Sequence, residues 1–118
     1  MEIACTKFGA ITINGKEYSY DVIIRRSGAV KKRRKKLSKS LYGTSHIISK
    51  PEAKFIMEKG SRLLVVGTGQ EGQVTLSPEA RDYFEKKGCA VLLAPTPQAI
   101  RVFNKAGART IGLMHVTC

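Results

Sequence analysis

A chain of 118 residues with 21 Lys and Arg against 9 Asp and Glu, a formal net charge of +12, is long enough to fold as one domain, residues 1–118, around a core that needs no metal or disulfide. No apolar run approaches the roughly 20 residues that span a bilayer, and Met1-Glu2-Ile3 does not open a signal peptide. Cys5, Cys89 and Cys118 are odd in number and widely spaced without a zinc-type pattern, so they read as reduced thiols of a cytoplasmic protein.

In chain order, Phe8 to Ile13 alternates and ends at Asn14-Gly15, whose tolerance of positive φ predicts a type I′ hairpin turn with Tyr18 to Tyr20 returning. Asp21 leads into a second strand, Val22-Ile23-Ile24, which Gly28 turns into a basic segment, residues 25–39. Nine basic residues gather there: Arg25, Arg26, Lys31, Lys32, Arg33, Arg34, Lys35, Lys36 and Lys39, with no acid from Val22 to Pro51. The rest of the chain is nearly neutral. Six consecutive cations from Lys31 to Lys36 offer no apolar face, so the run is expected to be solvated, as a ribbon, as a sheet edge where lysines discourage edge-to-edge pairing, or as a docking surface for an acidic protein partner. Leu37 to Ile48 has no clear period and reads as loop.

The remainder alternates helix and strand. Ser49-Lys50-Pro51-Glu52 has capping-box spacing, with Ala53, Ile56 and Met57 as the inward stripe of a short helix stopped by Gly60. Leu63 to Val66 is a buried strand running into a glycine loop, residues 67–72. Gln73 to Leu76 alternates like a short strand. Ser77-Pro78 and Thr96-Pro97 each offer a hydroxyl N-cap followed by proline at the first helical position. Ala80, Tyr83 and Phe84 face inward before Gly88; Ala99, Ile100 and Phe103 do so before Gly107. Ala90 to Ala94 and Ile111 to Val116 read as buried strands. The pattern is an α/β layer joined to an N-terminal β ribbon.

Phe8-Gly9, Ile11 to Lys16, Tyr18 and Asp21 to Ile24, followed by Val66 to Gly69, Leu76 to Ala80, Lys87-Gly88, Pro95-Thr96, Ala99-Ile100, Phe103-Asn104, His115 and Thr117-Cys118, come in an order and spacing that resembles the Mth domain family over nearly the whole chain. Members include small archaeal and bacterial proteins, the adipogenesis-associated Mth domain protein and an assembly factor of mitochondrial respiratory complex I. The resemblance implies a three-layer α/β fold with a central mixed sheet, flanking helices and an N-terminal β-hairpin extension. It implies little chemistry, since most members have no established activity. Many relatives carry a tryptophan and a Gly-His pair after the Asp-Val-Ile stretch. This chain has no tryptophan and places the basic run nearby instead.

Gly67-x-Gly69-x-x-Gly72 fits a dinucleotide fingerprint letter for letter, but the mechanism needs a helix at the third glycine and an acid about 20 residues on, and neither is present. No cofactor is therefore expected. Two readings stay open for the loop: a turn whose glycines satisfy backbone geometry, or a holder for a small anion made by the amides of Gly67, Thr68 and Gly69 with the helix start at Thr96. His115 reads as a packed or hydrogen-bonded strand residue, on the face opposite Cys118, and Asn104 as a local cap. No metal set or catalytic triad is visible. Asp21, Thr68, Thr96, Asn104 and His115 are the residues whose convergence would make a site.

Three classes of function stay open. A non-catalytic interaction or assembly module, with a protein partner and room for self-association, comes first. A nucleic-acid-binding module using residues 25–39 comes second. About six phosphate contacts would give a log-affinity slope against log salt of roughly −5, although no aromatics interleave for base stacking. A small-molecule site or enzyme at the strand-end loops 67–72 and 95–97 comes third.

Overall fold

Asn14 and Gly15 lie at φ of 49° and 83°, the two left-handed residues that a type I′ turn demands. They join β2 (Ala10–Ile13) to β3 (Lys16–Tyr18) in the expected hairpin, but the return strand starts directly after the turn and ends at Tyr18, not at Tyr20. A computed structural model describes residues 3–7, 9–69 and 73–116. Within them a further strand, β1 (Ile3–Lys7), pairs antiparallel with β2 and completes a three-stranded sheet. The Ile-Ala-Cys-Thr-Lys stretch alternates too weakly to announce itself as a strand.

The central sheet is built from β4 (Val22–Ile24), β5 (Val30–Lys32), β7 (Leu63–Gly67), β9 (Ala90–Ala94) and β10 (Thr110–Met114), in the order β5-β4-β10-β7-β9. β7, β9 and β10 run parallel, whereas β4 and β5 are antiparallel additions at one side. A small parallel pair, β6 (Ile47–Ile48) with β8 (Thr75–Leu76), lies apart from it. Four helices complete the chain: α1 (Lys36–Tyr42), α2 (Lys50–Ile56), α3 (Pro78–Lys86) and α4 (Thr96–Lys105).

Strand alternation sorts the core into two layers. Ile23, Leu64, Val66, Ile111 and Leu113 pack on one face with Ala53 and Ile56 of α2 and Ala80 and Phe84 of α3. Val22, Ile24, Val65 and Met114 pack on the other with Ile11 and Ile13 of the small sheet and Ala99 and Ile100 of α4. The central sheet is therefore the middle of three layers, the architecture the family resemblance implied.

Four local expectations are corrected. Leu37 to Ile48 is not loop throughout, because α1 and β6 lie in it. α1 has little apolar content and is held by hydrogen bonds described below, whereas β6 is a pair of isoleucines, Ile48 fully buried, too short to show a period. Thr96 is the first helical residue instead of the N-cap, a position taken by Pro95. α2 and α4 end before Gly60 and Gly107, where Met57 and Ala106 turn extended. β9 is half-exposed, with Leu92 38% accessible, because it is an edge strand with one unpaired side.

Candidate functional site

The site begins with a strand parity. Arg33 directly follows β5, its N–H donates to the Asp21 carbonyl at 2.9 Å, and its side chain turns into the protein. Only 4% of Arg33 is accessible. Its Nη1 meets Asp21 Oδ2 at 3.0 Å, its Nη2 meets Glu52 Oε1 at 3.1 Å, and Nε faces Glu52 Oε2. Nη2 also donates to the Ser45 carbonyl at 2.6 Å. The expectation that the whole run from Lys31 to Lys36 is solvated fails at this residue. A planar guanidinium with five donors can satisfy two carboxylates and a carbonyl at once, which makes its burial tolerable.

Glu52 explains a second departure. Ser49 caps α2, its Oγ accepting from Glu52 N at 3.3 Å, but the reciprocal half of the capping box is replaced. Ser49 N donates to Ser38 Oγ at 2.9 Å instead. The Glu52 carboxylate turns to Arg33 and accepts from Ser38 Oγ. Ser49 Oγ donates to the Leu37 carbonyl at 2.8 Å. α1 is thus fastened to α2 through polar groups, which apolar periodicity cannot reveal.

Asp21 forms the other end of the network. Its Oδ2 lies 2.6 Å from His115 Nδ1, a residue 94 positions away, and its Oδ1 accepts from Val116 N at 2.9 Å. Lys35 Nζ stands 3.6 Å from Oδ2. Burial raises the Asp21 pKa, but the His115 and Val116 hydrogen bonds and the charges of His115 and Lys35 outweigh it and hold the carboxyl at about 2, below the ordinary 3.8. For Arg33, burial opposes the charged form, and the Glu52 and Asp21 contacts overcome it, so its pKa is raised. Two carboxylates thus meet the guanidinium of Arg33 and the ammonium of Lys35. His115 is itself buried, edge-to-face with His46 at 5.6 Å between ring centroids, and its Nε2 has no hydrogen-bond partner among the described residues.

Above this network opens a cleft of about 580 Å³. Tyr20 and Leu37 give it apolar walls, Asp21 and Arg33 form part of its lining, and Lys32, Arg34 and Lys36 line it with cations. Lys32 lies over the Tyr20 ring at 5.3 Å, and Arg34 over the Phe55 ring at 4.6 Å. The basic candidates therefore divide. Arg25 donates to the Phe55 and Ile56 carbonyls at 2.9 Å each, satisfying the C-terminal end of α2, and Arg26 donates to the Lys59 carbonyl. Lys31, Lys32, Arg34, Lys36 and Lys39 are exposed, and Lys35 is partly so.

The strand-end candidates converge elsewhere. Thr96 Oγ1 donates to the His115 carbonyl at 2.7 Å and accepts from Gly69 N at 2.9 Å, and Thr68 N donates to the Ala94 carbonyl at 2.8 Å. The Thr68 and Gly69 amides read as anion donors are therefore engaged by the protein. A Cβ on Gly67 would stand 2.9 Å from both Met114 Sδ and Thr96 Oγ1, so this glycine serves a close approach of α4 to β7. Gln70 to Gly72 lie outside the described residues. Asn104 is remote from this corner and clamps Ile3, accepting from its N–H and donating to its carbonyl at 3.0 Å each. It is not the local helix cap expected. Cys89 is a free, buried thiol whose pKa burial raises; Cys118 lies outside the described residues. Among the described residues no group of three or more His, Cys, Asp or Glu is placed to hold a metal, and no helix is long and apolar enough to cross a membrane.

The buried Arg33 carried no distinguishing mark within six cations. One usable signal was present: the acid-free stretch is bounded by Asp21 and Glu52, the two acids that pair with it.

A match to the family described as a protein of unknown function (DUF498/DUF598) spans residues 3–114. The chain belongs to the DUF498/DUF598 family. Its fold is similar to that of the conserved hypothetical protein PH1505 from Pyrococcus horikoshii OT3, at 33% identity and a TM-score of 0.93 over 100% of both chains. It is also similar to MT938, at 31% identity and a TM-score of 0.82 over 99% of this chain and 98% of the other. A Mth938-like domain protein from Bordetella pertussis shares the fold at 19% identity and a TM-score of 0.65, over 98% and 85% of the two chains. The resemblance to the Mth domain family is thereby shown, and the DUF498/DUF598 fold is the scaffold that presents the basic cleft.

Proposed function

We propose that this DUF498/DUF598 domain is a non-catalytic interaction module that receives an acidic segment of a partner protein in the cleft between β5 and α1. One observation carries the reading: the cleft combines apolar walls from Tyr20 and Leu37 with lining cations Lys32, Arg34 and Lys36, above a network in which Asp21 and Glu52 are already matched by Arg33 and Lys35. A binder with both carboxylates and apolar side chains complements such a surface, because the cations steer it and the walls remove apolar area from water. Exposed Leu41, 59% accessible, and Tyr42 on α1 extend the surface. The non-catalytic character is supported by His115, the natural general base beside Asp21, being buried and absent from the cleft lining. The free, buried Cys89 goes with a cytoplasmic setting.

Nucleic acid is the rival reading and falls behind because Arg25, Arg26 and Arg33 are engaged internally, and Tyr20 alone offers a ring in the cleft, already beneath Lys32. The test is an anisotropy titration of labelled acidic peptides, basic peptides, duplex DNA and RNA at low and near-physiological salt. The native chain is run beside a variant with Lys31, Lys32, Arg34 and Lys36 changed to serine. Acidic-peptide binding that persists at the higher salt and is lost in the variant is the expected result. Tighter, sequence-blind binding of DNA or RNA with a steep salt slope would overturn it in favour of nucleic acid.

A further inference from the structure

β5 is an outer strand of the central sheet, and its hydrogen-bond parity fixes which backbone groups it leaves open. The register pairs Val22 with Lys32, Ile23 with Lys31 and Ile24 with Val30. Flanking this, Arg33 N donates to the Asp21 carbonyl and Arg25 N to the Ala29 carbonyl, both at 2.9 Å. In an antiparallel ladder hydrogen-bonded and non-bonded pairs alternate. Residues 29, 31 and 33 therefore face β4 with their backbone groups. The N–H and C=O of Val30 and Lys32 face the opposite way, out of the sheet.

We infer that the acidic segment binds by strand addition, hydrogen bonding to Val30 and Lys32 and extending the central sheet past β5. This rests on the cleft reading of the proposed function and supplies its geometry. An added strand runs roughly 4.8 Å from β5 and sends alternate side chains to opposite faces. One set meets Lys32 and the Tyr20 wall of the cleft; the other meets Lys31. The lysines select the occupant: they repel a basic strand, including another copy of this strongly basic chain, give a neutral one no electrostatic gain, and attract an acidic one.

The experiment uses the intact chain and a short peptide of alternating glutamate and valine, with a lysine–valine peptide as control. Amide hydrogen exchange is followed by NMR with and without peptide. Strand addition predicts that the Val30 and Lys32 amides slow on binding while Lys31, already bonded to β4, changes little. Lys32→Pro removes an outward N–H without touching the β4 ladder, so it should weaken the peptide several-fold to about tenfold more than Lys32→Ser. Salt-sensitive peptide binding without slowing at Val30 and Lys32, and with Lys32→Pro equal to Lys32→Ser, would overturn strand addition while leaving the cleft as the docking site. No binding of the acidic peptide by the native chain would remove both.

Discussion

Arg33 Nη1 stands 3.0 Å from Asp21 Oδ2, two buried and opposite charges brought together by cross-strand pairing at the start of β4 and the end of β5. The same guanidinium reaches Glu52 on α2, so one side chain ties the sheet edge to a helix. Removing one partner of a buried pair leaves the others desolvated and unmatched. Arg33→Met should therefore lower unfolding stability by roughly 3–5 kcal/mol, measured by urea titration. Lys36→Ser, on the same run but exposed, should leave the urea midpoint unchanged. Equal effects of the two substitutions would contradict the burial of Arg33.

The depressed Asp21 pKa makes a pH prediction with a definite sign. The folded value of about 2 lies below the ordinary 3.8, so the folded state favours the ionised carboxylate. Its stabilisation is present in full above the unfolded value and is lost as pH falls from about 4 through about 2, amounting to roughly 2 kcal/mol. Thermal unfolding of the native chain and of Asp21→Asn across that range checks it. The variant should be less stable at neutral pH and show a shallower acid decline.

Gly67 is tight against α4, where an added methyl would meet Met114 Sδ, Thr96 Oγ1 and, at 3.2 Å, Thr96 Cα. Since the helix backbone cannot rotate aside as a side chain does, Gly67→Ala should destabilise by about 1–3 kcal/mol. Calorimetry would detect this as a lowered melting temperature. A neutral result would mean that α4 is free to shift.

Thr96 bridges two strand ends with one hydroxyl. Thr96→Val keeps the shape but leaves the His115 carbonyl and the Gly69 N–H without that partner, an expected loss of about 1–3 kcal/mol. Thr96→Ser should recover most of it, because the oxygen returns. Failure of serine to rescue would shift the role from the hydroxyl to the methyl group.

Asn104 holds Ile3 by both its amide groups, so Asn104→Ala should loosen β1 selectively. Faster amide exchange at Ile3, with the β7 and β10 amides unchanged, is the outcome to look for. Uniform acceleration would mean that Asn104 supports the whole fold.

The hairpin at Asn14-Gly15, the Ser49 and Ser77 caps, the inward stripes of α3 and α4 and four of the five central strands, all but β5, were legible because each depends on local physics: positive φ, a hydroxyl near free amides, a period of two or of 3.6. The family was legible for a related reason, since its pattern is the ordered sum of these local features. The division of the basic run was not. Lys31 to Lys36 look alike in sequence, and only strand parity and the arrival of Glu52 from α2 decide that Arg33 is buried while Lys32 and Lys36 face the cleft. The Asp21–His115 contact lies equally beyond the sequence, because it joins positions 94 apart through the pairing of β4 with β10. Local backbone preferences act within a few residues, whereas a buried charge finds its partners through packing, and only the folded chain sets those distances.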